Sequence, residues 1–179
     1  MRRPIRLLHA TGGRPFDAML KAACGIRRRL AGALGCLAFG ALMVAPALAQ
    51  EALEFVSSPE AKAAKLPFSE AVRVGDVLYL SGAIGNVPGK PELVPGGMAA
   101  QTRQAMANLG SVLSANGLSF DDVFKCTVML ADMSNWADFN QVYVTYFDPD
   151  RLPARSSFGA NGLALGAEVE VECLAHVGK

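Results

Sequence analysis

The chain has 179 residues with 17 Lys/Arg against 16 Asp/Glu, and that near balance hides a split. Residues 1–49 hold eight basic residues and one acidic one, whereas the remainder holds nine and fifteen, a balance of −6. An acidic body without a basic stripe argues against nucleic acid or an anionic membrane as a partner, and about 130 residues are enough to bury the core of one domain.

Met1 to Arg29 is basic, Leu30 to Leu48 is almost wholly apolar, and Pro46 precedes Ala47-Leu48-Ala49 and Gln50. A charged n-region, an apolar h-region and an A-x-A site make the layout of a secretory signal peptide, cleaved after Ala49. Met19 as the start gives a leader of ordinary length. The alternative is an uncleaved anchor, since about nineteen apolar residues also span a bilayer. The leader reading places the mature protein in the periplasm or outside the cell, with no membrane contact after cleavage.

Residues 50–65 are polar and alanine-rich and read as an N-terminal tail, with the folded domain over 66–179. Val72 to Val74 and Val77 to Ser81 read as two strands around Gly75-Asp76. Ser81-Gly82 ends the second, where a glycine either lets a ligand approach the backbone or simply starts the turn into Asn86 to Gly89. The Pro- and Gly-rich stretch 88–97 is a loop. From Gly97 a helix is predicted, with Thr102, Ala105, Met106, Leu109, Val112 and Leu113 on one stripe and Asn116-Gly117 as its stop. Val123 to Leu130 is a β-rich run, and Asp132 or Ser134 caps a second helix over about Asn135 to Phe147. Trp136, Phe139, Tyr143, Tyr146 and Phe147 form its apolar face, and Asn140 lies on that face. An amide there needs a partner, either a neighbouring backbone group or a ligand at a subunit contact.

Pro153 fixes its own φ and pushes Leu152 toward extended backbone, so Arg155 enters a strand on a stiff lead-in. Val169 to Ala175 alternates, with Val169, Val171, Cys173 and Ala175 on one face and Glu170, Glu172 and Leu174 on the other. Strands, helix, strand, helix, strands is an α+β order with both helices on one sheet face, leaving the second face to find cover.

Past residue 49 the cysteines are Cys126 and Cys173, both inside strands. They read as small buried hydrophobes, with a disulfide as the alternative in an oxidising compartment. The same portion has one histidine, His176, and no CxxC or HxxxH spacing, so no metal site, zinc hydrolysis or His-based triad is expected. Neither GxGxxG nor a Walker sequence occurs, so no cofactor is expected.

Leu152-Pro153-Ala154-Arg155-Ser156, then a Gly-rich loop and Val169-Glu170-Val171-Glu172-Cys173-Leu174-Ala175, resembles the end of the Rid (YjgF-type) family of enamine and imine deaminases. That family's pattern is P-A-R-S/T followed by [IV]-E-[IV]-E-A-[IV]-A. Leu80-Ser81-Gly82-Ala83-Ile84-Gly85 and Asp138-Phe139-Asn140-Gln141-Val142-Tyr143 are similar to its x-S-G-Q-[IV] strand end and F-x-x-[VF]-N-x-x-Y helix. The resemblance covers about Pro67 to Ala175. It implies a single chorismate-mutase-like domain, a mixed sheet with two helices on one face, and a homotrimer with ligand sites in the clefts between subunits.

It also implies cofactor-free hydrolysis of 2-imino or 2-enamino acids to 2-oxo acids and ammonia. Arg155 then anchors the substrate carboxylate, and Glu170 does the acid/base work on water. Ser81 and Gly82 supply a backbone contact, Asn140 lies near the cleft, and Phe68 forms an apolar wall. Phe68 stands where the family usually has the tyrosine of G-P-Y-x-Q-A, and Ser157 where many members have cysteine. The missing phenol keeps a second reading open, a non-catalytic trimeric module that binds small carboxylates or a protein partner in the same clefts.

Overall fold

The computed structural model describes residues 52–178, so the predicted leader and its cleavage site lie outside the described residues. Seven strands form one sheet in the order β1-β2-β3-β7-β5-β6, with β4 also paired to β7. These are β1 (Leu53–Val56), β2 (Ala71–Val74), β3 (Val77–Leu80), β4 (Ala83–Ile84), β5 (Val123–Leu130), β6 (Ala154–Gly159) and β7 (Val169–His176). β5 and β6 run parallel; the other pairings are antiparallel. Three helices accompany them: α1 (Pro59–Ala63), α2 (Gly97–Ala115) and α3 (Trp136–Tyr143).

The segment 50–65 is not a plain tail. β1 extends the sheet by pairing with β2 from Leu53↔Val74 to Val56↔Ala71. Ser58 then caps α1, its side chain accepting from the Ala61 amide at 3.1 Å, while Glu70 accepts from the Ser58 backbone amide. Leu53 and Phe55 stay exposed, so no buried face marked this edge strand in the sequence.

α2 buries Met98, Thr102, Ala105, Met106, Leu109 and Leu113 against the sheet, the predicted stripe except that Val112 is only partly buried and Met98 joins it. Thr102 is wholly buried but satisfied, its hydroxyl donating to the Met98 carbonyl at 2.7 Å. Gly85 lets the chain pass directly under the helix, because a Cβ there would lie 2.6 Å from the Gln101 Cα. Gln101, itself buried, accepts from the Glu168 amide at 2.9 Å and so ties α2 to the start of β7.

Cys126, Val128 and Leu130 of β5 and Val169, Val171, Cys173 and Ala175 of β7 point into this core. Cys126 and Cys173 lie directly opposite in register and are joined as a disulfide. They are buried as expected, and the pairing decides between the two readings of their chemistry. Neither α2 nor α3 packs on the second sheet face. Phe55, Tyr79 and Phe158 are exposed there, beside the half-buried Lys125, whose ammonium donates to the Ser156 hydroxyl at 2.8 Å.

Candidate functional site

Arg155 sits on β6, an edge strand, in parallel register with Cys126 of β5, which places its side chain on the helix-covered face. The expected cap Asp132 holds not the helix itself but the 3-10 turn Met133–Asn135 that leads into it, its carboxylate accepting from the Ser134 amide at 2.8 Å, while the helix's own N-cap, Asn135, makes no side-chain bond. Bonds from Ser134, first its backbone and then its side chain, hold that carboxyl below its usual range. α3 follows immediately and presents Trp136, Phe139, Asn140 and Tyr143 to the arginine.

The Arg155 Nη1 donates to Asn140 Oδ1 at 2.7 Å. Its guanidinium carbon lies 4.8 Å from the Tyr143 ring centre, 5.4 Å from Trp136 and 5.7 Å from Phe139. Each such cation–π contact contributes about 0.5–2 kcal/mol according to its desolvation. The partner that Asn140 needed is therefore Arg155. Among the described residues the arginine side chain donates to this neutral amide and to no carboxylate. An arginine oriented by aromatic faces and one amide keeps its charge and its outer donors for an anion.

Tyr143 cannot serve as a base beside it. Burial pushes its phenol up to about 12, outweighing the pull of the Arg155 charge. Its hydroxyl and that of Ser157 are buried without a hydrogen-bond partner.

Glu170 lies on the opposite face. Alternation along β7 puts Val169 and Val171 in the core and Glu170 and Glu172 on the open side, as the sequence implied. Glu170 faces Gly82 across a bulge in the neighbouring strand. β3 pairs with β7 through Tyr79↔Leu174, but β4 resumes at Ala83↔Val171, so one extra residue is accommodated around Ser81-Gly82. Ser81 is held in place as its amide donates to the Glu70 carbonyl at 3.0 Å and its hydroxyl to the Ser69 carbonyl at 2.7 Å. A Cβ on Gly82 would collide with the Glu170 carboxyl, approaching its Cδ to 2.9 Å. The glycine lets the Glu170 carboxyl lie against the backbone; a side chain at this position would push that carboxyl away.

Phe68, Ser81, Gly82, Ile84, Ala164 and Glu170 line an open cleft of about 310 Å³. Burial raises the Glu170 carboxyl above its usual range, and the nearby Glu172 charge raises it further. A carboxylate shifted this way is a better proton acceptor than an ordinary glutamate.

One protomer thus brings together Arg155 with Asn140, and Glu170 with Phe68, Ser81 and Gly82, but sets the two groups on opposite sides of the sheet. The sequence did not single out Ile84 and Ala164 as cleft walls, nor the cradle role of Trp136, Phe139 and Tyr143. The signal for the cradle was present, as three aromatic residues spaced around Asn140 on one helical stripe.

A mixed sheet with α2 and α3 packed on one face, an edge-strand arginine that meets no carboxylate among the described residues and a glutamate on the other face make an α+β domain with two separate polar sites. The endoribonuclease L-PSP family model matches residues 58–177. The chain is 42% identical over 120 residues to the 2-iminobutanoate/2-iminopropanoate deaminase of Mus musculus, covering 67% of this chain and 88% of that one. The crystal structure of a Thermotoga maritima protein described as a putative endoribonuclease superposes with a TM-score of 0.64 at 36% identity, covering 70% of this chain and 98% of the other. Escherichia coli TdcF with bound serine superposes with a TM-score of 0.57 at 30% identity, covering 62% and 88%. The chain belongs to the Rid (YjgF, endoribonuclease L-PSP) family.

Proposed function

We propose that this protein hydrolyses reactive 2-imino and 2-enamino acids to 2-oxo acids and ammonia, without a cofactor. Its 42% identity to a 2-iminobutanoate/2-iminopropanoate deaminase supports the reaction, and the arginine without a carboxylate partner supports a substrate that carries a carboxylate.

The chemistry follows from the two groups. A 2-imino acid has an electrophilic C=N beside its carboxylate. Arg155 pairs with the carboxylate through its outer donors and holds the C=N in place. Glu170 orients a water and accepts its proton as the oxygen adds to carbon. That proton passes to the nitrogen of the tetrahedral adduct, the adduct's hydroxyl proton then follows it through Glu170 to the same nitrogen, and the C–N bond breaks, so that ammonia leaves as the C=O forms. Positioning a reactive imine next to an oriented water supplies much of the acceleration, and a general base adds about 10²–10⁴-fold.

The observation that supports a site shared between subunits is the opposite orientation of Arg155 and Glu170 in one protomer. A complete site then takes Arg155, Asn140 and the aromatic cradle from one subunit and Phe68, Ser81, Gly82 and Glu170 from its neighbour, in a homotrimer. The second sheet face, with exposed Phe55, Tyr79 and Phe158, supplies apolar surface for such an assembly. The leader-like first 49 residues support action in the periplasm or outside the cell.

The test adds the mature protein to an amino-acid oxidase reaction containing semicarbazide, which traps the free imine. Trapping should fall in proportion to added protein. Unchanged trapping with a well-folded trimer would leave a module that binds carboxylates without turning them over.

A further inference from the structure

We propose that Cys126 and Cys173 form an oxidative maturation site: their disulfide is made while the chain folds in an oxidising compartment, and the finished fold is stable because of it. The two residues lie on different strands, 47 positions apart, with a Cα–Cα distance of 4.1 Å. That spacing is shorter than the roughly 4.4–6.8 Å common for disulfides and is closest to the narrow kind of antiparallel pair, where side chains on adjacent strands meet directly.

Three observations converge. First, Cys173 of β7 stands directly opposite Cys126 of β5 in the antiparallel register. Second, both residues are buried, at 0% and 2% exposure, beneath the helices. Two free thiols there would have to stand at van der Waals separation inside a closely packed core, which a single covalent bond avoids. Third, the first 49 residues read as an export leader, and oxidising compartments are where such bonds form and persist.

The bond joins β7, which carries Glu170, to β5, the neighbour on which the Arg155 strand β6 is paired. Cys126 is in register with Arg155 on one side and with Cys173 on the other, and Glu170 lies three residues before Cys173. Closing so long a loop removes much of the entropy of the unfolded chain, more than a short-range link does.

Its formation balances as a thiol–disulfide exchange. One cysteine thiolate attacks the disulfide of an oxidant, either a protein dithiol catalyst or a small disulfide, and releases one thiol. The second thiolate then attacks the mixed disulfide, so two protons and two electrons leave the chain and the oxidant ends as two thiols. Burial sets the order of events. Exchange is possible before the sheet closes under its helices and is blocked afterwards, so the bond acts as a permanent link and not as a switch.

The experiment expresses the full chain with its leader, purifies the folded protein and alkylates thiols under denaturing conditions before mass analysis. The protein should show no alkylated Cys126 or Cys173. Quantitative labelling of both in folded, exported protein overturns the proposal. Cys173→Ala should melt roughly 10 °C below the parent, whereas a melting point within about 2 °C of the parent overturns the stabilising role. Should that variant fail to fold, the parent itself decides: melting with and without dithiothreitol should differ by a similar margin once the reductant has had access to unfolded chain. Native protein should keep its disulfide through hours in dithiothreitol; reduction within minutes, without unfolding, overturns the permanent link in favour of an accessible redox switch.

Discussion

Arg155 and Glu170 occupy contrasting surroundings. The arginine lies in a finished setting, with three aromatic rings beside its guanidinium and Asn140 bonded to one end. The glutamate lies in an open cleft, on a sheet face that neither α2 nor α3 covers, with its carboxyl raised by partial burial and by Glu172. One half is preorganised within the protomer; the other is open. Under the proposed reading a neighbouring subunit closes it and leaves Glu170 next to the imine with a single oriented water.

The largest effect should come from the open half. Glu170→Gln keeps the shape of the side chain but cannot accept a proton, so kcat in the imine-trapping assay should fall by about 10³-fold while carboxylate binding persists. The sign of the pH dependence follows from the raised carboxyl. Its ionised form is the base, so the acid limb of the parent's kcat/KM profile should lie above the usual glutamate range. A group whose pKa is raised on folding costs stability at pH above that value and costs nothing below its unfolded value. Glu170→Gln should therefore melt slightly higher than the parent at neutral pH, with the gain vanishing in acid. Glu172→Gln, one pleat further along, should change turnover little. Full activity of Glu170→Gln would remove its acid/base role.

The closed half should respond to geometry more than to charge. Arg155→Lys keeps the charge but loses the planar fork, and an ammonium cannot reproduce both the Asn140 bond and a two-point grip on a carboxylate. Its kcat/KM should fall by about 10²-fold, nearly as far as for Arg155→Ala. Steady-state kinetics with a series of imino acids checks this. A lysine variant within a few-fold of the parent would mean that charge alone holds the substrate.

The division itself can be tested by mixing. Glu170→Gln and Arg155→Ala subunits, each impaired about 10²-fold or more as a homo-oligomer, should regain activity when refolded together. With random assembly and one arginine donor and one glutamate donor per site, about a quarter of the sites in an equal mixture are intact. Absence of any recovery, with mixed oligomers confirmed by mass, would place both groups of a working site in one subunit.

Much of this arrangement was legible in the sequence, for reasons that can be named. Val123 to Leu130 is a strand residue for residue because a run rich in β-branched and large apolar side chains meets a capping Asp132. The α2 stripe was equally clear, since a long helix packed on one face prints its period in its apolar residues. β1 was missed because its Leu53 and Phe55 stay exposed and leave no one-sided pattern. The alternation of β7 gave the face of Glu170, but the opposed direction of Arg155 depends on β6 pairing parallel to β5 in a particular register. The Cys126–Cys173 bond depends on a register too, one that shifts between Val123 and Lys125, and no local pattern encodes it. Elements follow from neighbours in the chain; the relation between half-sites follows from pairing across the sheet.

The smallest expected effect concerns the wall of the open cleft. Phe68 is half-exposed and lines the cleft with Glu170, at the position where the family pattern carries tyrosine. A phenol there adds a donor beside the carboxylate and the water it orients, in a site whose other walls at Ile84 and Ala164 offer no polar side-chain atom. Phe68→Tyr adds one hydroxyl at a partly solvated position, where a neutral hydrogen bond contributes about 0.5–1.5 kcal/mol, so kcat/KM should rise only a few-fold. Melting temperature should hardly move, because the ring keeps its contacts. A rise of a hundredfold or more would show that the glutamate alone orients water poorly and that this protein works with an incomplete open half. A fall would show that the apolar wall is selected for its own sake, to receive the hydrocarbon part of the substrate.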